Sequence, residues 1–391
     1  MPPLKAVQAI STSLRTREAR SESRYQLRVL IPYDRSVLVG TRKFELNFNA
    51  ETVRAFNSEF VDILDDVRRK VLANEDIDFK GRGYDFLSRL RDRGRAAFQR
   101  LWPREMKEHL DAKDEQEKSR GLSFTFQVDE ELSLFWEMLY RGSPLNALDP
   151  NDFWGFRYPI GRCYLGVDTS DRVELQSGIL SAVHNKLKLS LREVHAVKTY
   201  LQKLRRIPSV RLQMLDEALE ANSPTVNELL ALFHDDEFSF GMVHFACHCD
   251  AGQNLLESSL RLTSRNSDID LMLEKVLGNA DYGFQNRPFV FLNACQTADV
   301  IGIRAGLGFP RAVLDFGAAG VIATACVVPD RFAAAFAREF YRRLLAGRAQ
   351  LAAANIASVL METRLHFLTE FENPLGLAYG LYAGSDQEFR V

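Results

Sequence analysis

Along the chain, the spacing of apolar side chains switches between two periods, and the switches mark the elements. Residues 25–48 alternate apolar and polar: Tyr25, Leu27 and Val29, then Phe44, Leu46 and Phe48. A period of two places every second side chain on one face, which predicts β-structure. From Thr52 to about Ala73, Phe56, Phe60, Ile63, Leu64, Val67 and Val71 recur every three or four residues, the spacing of one helix face. A second helical stretch covers about Tyr84 to Leu110, interrupted near Pro103, which has no N–H to give a helix. Residues 111–120 (DAKDEQEKSR) hold no large apolar residue and read as a solvated connector or helix end.

Beyond it, a strand is predicted over Leu122 to Val128, an apolar-aromatic segment over Leu132 to Leu139, and a loop over residues 142–152. Cys163 to Val167 and Ile179 to Val183 are further strand candidates, and Leu191 to Leu204 an amphipathic helix. Pro224 to Phe233 reads as a short helix with Asn222 or Ser223 as its cap. Three apolar strands follow: Phe240 to Cys247, Phe289 to Ala294 and Gly320 to Ala325. Helical spacing fills Gly306 to Phe316, Asp330 to Leu345 (closed by Gly347) and about Gln350 to Thr369, before a last strand, Leu377 to Tyr382. Near-continuous apolar strands alternating with amphipathic helices imply an α/β fold whose mostly parallel sheet is covered on both faces. The chain divides into a polar, loosely ordered N-terminus (1–22), an N-terminal α/β part (23–120) and a larger α/β domain (121–391).

Composition narrows the classes. The 391 residues carry 50 Lys+Arg against 52 Asp+Glu, a formal charge of -2, with 46% hydrophobic residues. That is an ordinary globular balance. It excludes a disordered chain, and it lacks the basic excess of a nucleic-acid footprint. Basic clusters at Arg89–Arg100 and Lys203–Arg211 read as solvated faces. The first twenty residues have no apolar core of the signal-peptide kind, and no run approaches the ~18 apolar residues of a spanning helix. The expectation is a soluble cytoplasmic protein without membrane contact. Five cysteines are too few for a disulfide scaffold of this length and read as thiols.

In open α/β sheets, reactive groups gather beyond the carboxyl ends of the strands. One apolar strand here ends in Cys247, His248 and Cys249, another in Asn293, Ala294 and Cys295. If the two strands are neighbours, His248 and Cys295 share one edge, the arrangement that a thiol nucleophile and its base require. His244 lies four residues back, on the same face but roughly 13 Å from the rim. Cys247 points to the opposite face from His248, and Cys163 and Cys326 sit among apolar or aromatic neighbours, so these three read as packing residues. A cysteine at a strand end is more often structural than reactive, so pattern alone leaves both readings open. His244, Cys247, His248 and Cys249 also raise a metal site, but strand alternation sends them to opposite faces, and no second ligand pair stands at zinc-finger spacing. No metal and no cofactor are expected.

Several segments resemble the CHAT domain, a caspase-like fold related to separases: Val243–Cys249 (VHFACHC), Phe291–Thr297 (FLNACQT), Gly306–Asp330, Phe336–Gly347 and Asn373–Gly384, with further CHAT-like features upstream at Leu122–Gly142 and Phe156–Arg162. The resemblance covers about 120–391 well and 25–120 weakly. It implies a caspase-like α/β/α sandwich with a mostly parallel central sheet, and a cysteine endopeptidase with His248 as catalytic histidine and Cys295 as nucleophile. It also implies oxyanion contacts from the backbone at Cys249 and Cys295, and a substrate-pocket contribution from Asn293, two residues before the nucleophile. Asp250 and Asp299 flank the motifs as possible sources of negative charge, Arg162 and Arg304 of positive charge. Where the family places glycine after the catalytic histidine, this chain has Cys249, which would be strained in a glycine-only conformation. The polar segment Asp250–Asn286, with a helical stretch at Ile269 to Leu277, reads as a long loop of the kind that forms lids.

The resemblance further implies a protease that cuts a protein partner, such as a gasdermin-like pore former or a regulator, in bacterial antiviral defence. An activating partner or signal would gate it. The alternative is a CHAT pseudoprotease that serves as an interaction scaffold.

Overall fold

The computed structural model describes residues 24–390 apart from 32–35, 40–41, 46–48, 119–120, 144, 176–177, 185–186, 188, 204–210, 220–223, 251–253, 265–266, 295–299 and 346–352. The alternating N-terminal stretch forms β1 (Tyr25–Ile31), β2 (Ser36–Val39) and β3 (Arg42–Glu45), which join β4 (Leu122–Val128) and β5 (Ile160–Tyr164) in one sheet of order β3-β2-β1-β4-β5. β1, β4 and β5 are parallel. The β1–β4 ladder runs from Tyr25 opposite Leu122 to Ile31 opposite Val128, so one sheet spans the division expected at residue 120.

Helices α1 (Ala50–Asn74), α2 (Gly83–Leu101) and α3 (Arg104–Gln116) follow the 3.6-residue pattern, with Pro103 at the α2–α3 junction. α3 runs on to Gln116, so residues 111–116 are the helix end rather than a connector; Met106 and Leu110 bury its inner face and the remaining polar positions need only solvent. All three tryptophans of the chain, Trp102, Trp136 and Trp154, meet Phe124 and Phe126 in one aromatic cluster; Phe126 and Trp136 stack at 4.1 Å. Next come a single turn, α4 (Trp154–Arg157), and β6 (Arg172–Glu174), which belongs to a small sheet closed by two C-terminal strands.

The main sheet contains β7 (Gly178–Val183), β8 (Arg211–Met214), β9 (Met242–Asp250), β10 (Ser259–Ser264), β11 (Ser267–Met272), β12 (Phe289–Ala294) and β13 (Gly320–Thr324). β14 (Ala354–Asn355) and β16 (Glu388–Arg390) complete the small sheet, and β15 (Tyr379–Tyr382) the main one. The main order is β8-β7-β9-β12-β13-β15, parallel except for β15. The helices here are α5 (Ser190–Lys203), the single turn α6 (Leu215–Ala218), α7 (Val226–His234), α8 (Leu273–Gly278), α9 (Val300–Asp315), α10 (Asp330–Leu345) and α11 (Ile356–Phe371). Helices α5, α10 and α11 pack on one another over one face; α9 lies against β13, and α7 joins that layer through Phe233, which meets Phe284 and Phe316. Among the described residues, no helix is long and apolar enough to cross a membrane.

Three expectations change. The segment Asp250–Asn286 is largely a hairpin and a helix rather than an open loop. Residues 267–272 alternate, with Ile269 and Leu271 buried and Asp268 and Asp270 outward, so they form β11; helix begins only at Leu273. The strand expected to end at Cys247 continues to Asp250, because β10 takes up its edge where β7 stops. Finally, Asn222 and Ser223 lie outside the described residues, and α7 is capped by Thr225, whose hydroxyl accepts from the Glu228 N–H while Glu228 reaches back to the Thr225 N–H. Thr225→Ala should lower stability by about 1 kcal/mol in urea unfolding.

The two sheets meet where β5 lies against β15. Gly161 permits the approach: a Cβ there would stand 2.2 Å from the Ala383 carbonyl oxygen. Beneath this junction Glu137 is ion-paired with both Arg162 and Arg364, all three buried, and the Arg162 guanidinium lies 5.0 Å from the Tyr382 ring centre.

Candidate active site

Parallel pairing of β9 with β12 brings the two chemistry-bearing sequences to one edge. Phe289 stands opposite Met242, Phe291 opposite His244 and Ala294 opposite Cys247. His248, the next residue of β9, is half-buried and pairs with Arg261 of β10. Cys295, Asp299 and the side chain of Arg304 lie outside the described residues.

The face that carries His244 also carries a buried polar network. Glu193 of α5 places Oε1 2.6 Å from His244 Nε2 and accepts from Asn293 Nδ2 at 3.0 Å. Asn293 Nδ2 also donates to the Ala333 carbonyl of α10 at 3.2 Å, and Asn293 Oδ1 accepts from the Tyr379 hydroxyl at 2.8 Å. His244 additionally stands edge-on to Phe291 and Tyr341. Asn293, expected in the substrate pocket, is therefore buried, 2% exposed, with its amide committed to three neighbours. Its network ties α5, β9, β12, α10 and β15 together just behind the sheet edge.

Closer to the rim, the His248 ring meets that of His184, which follows β7, at 4.8 Å between centroids. Asp330 opens α10; burial, reinforced by Glu193, holds its carboxyl above the ordinary range, with His248 offsetting only part of the rise. Asp250 ends β9, where its carboxylate is compensated by Arg261 at 2.9 Å, itself shared with Asp270. Arg162, expected as a source of positive charge for substrate, is instead in the core with Glu137.

The four described cysteines behave alike. Burial pushes the Cys163 thiol up to about 11, Cys249 and Cys326 up to about 12, and Cys247 well above its ordinary value. At neutral pH all four are protonated and poor nucleophiles. Cys249 and Cys326 line a small cavity of about 40 Å³ on the α9 side, together with Leu292, Ala294, Phe309 and Thr324. The concern that Cys249 strains a glycine position does not hold in this backbone: among the described residues, the non-glycines of positive φ are Glu75, Arg287 and Glu372.

Sequence reasoning missed Glu193, His184, Asp268 and Asp330. The rule that found His248, a titratable group closing an apolar strand, also selects His184 after Gly178–Val183. Glu193 has no such signal, since one carboxylate on an amphipathic helix looks like every solvated one.

A CHAT-domain family model matches residues 98–371. The chain belongs to the CHAT-domain family. Its mostly parallel central sheet with helices on both faces is the α/β architecture expected from the sequence. Among solved structures, a chain of the Saccharomyces cerevisiae separase–securin complex at 3.0 Å resolution aligns over 98% of this chain and 31% of its own, at 11% identity and a TM-score of 0.48. In the 2.6 Å structure of that complex, the CHAT-domain chain spans 18% of the matched chain, at 13% identity and a TM-score of 0.41. The Porphyromonas gingivalis RgpB complex of pro- and mature domains aligns over 72% of this chain and 68% of its own, at 10% identity and a TM-score of 0.41. No curated protein matches the sequence.

Proposed function

We propose that this CHAT-domain chain is a cysteine endopeptidase that cuts a protein partner, with Cys295 as nucleophile and His248 as its acid–base partner. The observation that supports the reading is the β9–β12 register: Ala294 stands opposite Cys247, so the residues that follow each of them, His248 and Cys295, come next along neighbouring parallel strands. The raised thiols of the four described cysteines support it by leaving Cys295 as the candidate nucleophile.

In this mechanism the Cys295 thiolate attacks the scissile carbonyl. Backbone N–H groups at Cys249 and Cys295 stabilise the oxyanion, each worth roughly 3–4 kcal/mol. His248 protonates the leaving amine, and water then hydrolyses the thioester. The chain is further read as gated by a partner or signal within a bacterial defence pathway, its substrate a regulator or a pore former of the gasdermin-like kind. The alternative of a pseudoprotease scaffold drew on Cys249 in place of glycine, and the ordinary backbone at Cys249 removes that support.

The test is incubation with a proteome, alone and with the products of adjacent genes, followed by mapping of new protein termini. Wild type should generate them, whereas Cys295→Ala and His248→Ala should not. Cleavage that survives Cys295→Ala sinks the assignment, and a wild type silent under every condition favours the scaffold.

A further inference from the structure

The backbone N–H of His184 donates to the Ala246 carbonyl at 3.0 Å, which carries the β7–β9 ladder one residue past Val183 and fixes His184 beside the end of β9. His184 is 1% exposed, and its ring meets that of the half-buried His248 at 4.8 Å between centroids, with the planes at 70°. In that arrangement the edge of one imidazole is against the other. His184 Nε2 also lies 3.8 Å from Asp268 Oδ1 of β11, and the same carboxylate oxygen accepts from the Thr263 hydroxyl of β10 at 3.3 Å. A carboxylate, a buried imidazole and the imidazole at the sheet rim thus follow one another. An apolar ring would fill the place of His184 without taking a polar one out of water. What the imidazole adds is a polar ring edge against its neighbour, at 4.8 Å between centroids.

We propose that His184 is a positioning residue for His248: it fixes the plane and tautomer of the His248 ring, and Asp268 fixes His184 in turn. The logic is that of a base oriented by a third group. For catalysis the inference rests on the His248–Cys295 reading; for structure it stands without it.

The test therefore has two arms. In alkaline buffer, where imidazoles are neutral, ¹⁵N spectra of histidine-labelled wild type should show His248 as one tautomer. His184→Phe, which keeps a ring, should give an averaged mixture. Asp268→Asn, at a side chain 43% exposed and so safe for folding, should shift the spectra the same way. Where wild type cleaves peptide, His184→Phe should lower kcat about 10–100-fold while KM moves less than about twofold, and His184→Gln should recover part of the loss. An unchanged single tautomer in both His184→Phe and Asp268→Asn, or an unchanged kcat in a folded His184→Phe, overturns the proposal. Absence of any cleavage by wild type counts against the dyad alone, because the tautomer arm still decides the role of His184.

Discussion

Asn293→Asp should unfold the protein at much lower urea concentration than wild type, and should not create a preference for basic substrates. Position 293 precedes the proposed nucleophile by two residues, and an acid there looks on paper like a specificity change. The structure says otherwise. Asn293 Nδ2 donates to Glu193 Oε1 at 3.0 Å and to the Ala333 carbonyl at 3.2 Å, inside the core. An aspartate would turn that donor into an oxygen facing two acceptors and place a second carboxylate beside Glu193. Breaking a buried charge arrangement in this way costs about 3–5 kcal/mol. The pH dependence has a definite sign. Two carboxylates in contact retain a shared proton more tightly folded than unfolded, so the penalty is full at neutral pH and shrinks as the pH falls towards the ordinary carboxylate range. Glu193→Gln in the same chain should restore most of the loss, since the glutamine amide can donate to the introduced carboxylate. A double-mutant cycle measures this coupling. An Asn293→Asp variant as stable as wild type, or one that cuts after arginine, defeats the argument.

How much was legible in the sequence depended on how strongly each element repeats. The strands Phe289–Ala294 and Leu122–Val128 and the helix Asp330–Leu345 were each visible to the residue, because an apolar run, a strict apolar–polar alternation and a wide apolar stripe each admit one reading. The hairpin β10–β11 was not. Its inward residues are interleaved with Ser, Thr, Asp and Arg, and its pairing partner is the end of β9, which no local pattern reveals. The same holds at the site. His248 and Cys295 could be singled out because they close apolar strands. The direction of Asn293 could not, because only the packing of α5 and α10 on that face brings Glu193 and the Ala333 carbonyl to its amide. Arg162 shows the converse error: a lone arginine in a strand motif reads as available charge, yet here it is neutralised in the core.

Glu137→Ala should be more damaging than loss of either of its partners. Glu137 is 1% exposed and lies between two guanidiniums, Arg162 and Arg364, that are as fully buried. Removing one arginine leaves the carboxylate with the other, a pair that still balances. Removing Glu137 leaves two uncompensated cations in contact with each other's field, where one alone costs about 3–5 kcal/mol. Replacing the whole triad by apolar residues would not be neutral here, as it is at some buried pairs. The Arg364 Nε also donates to the Tyr379 carbonyl at 3.2 Å, and that acceptor would be orphaned at the start of β15. Tyr379 is also the residue whose hydroxyl holds Asn293. The damage should therefore travel: in a Glu137→Ala chain that still folds, hydrogen exchange should rise at Tyr379–Tyr382 and along β12, not only around residue 137. Denaturant midpoints ordered Arg162→Met above Glu137→Ala, with protection lost on β15, would bear this out. Equal midpoints for the two variants would show that Arg364 alone does not need the carboxylate, and that the triad is not what joins the two sheets.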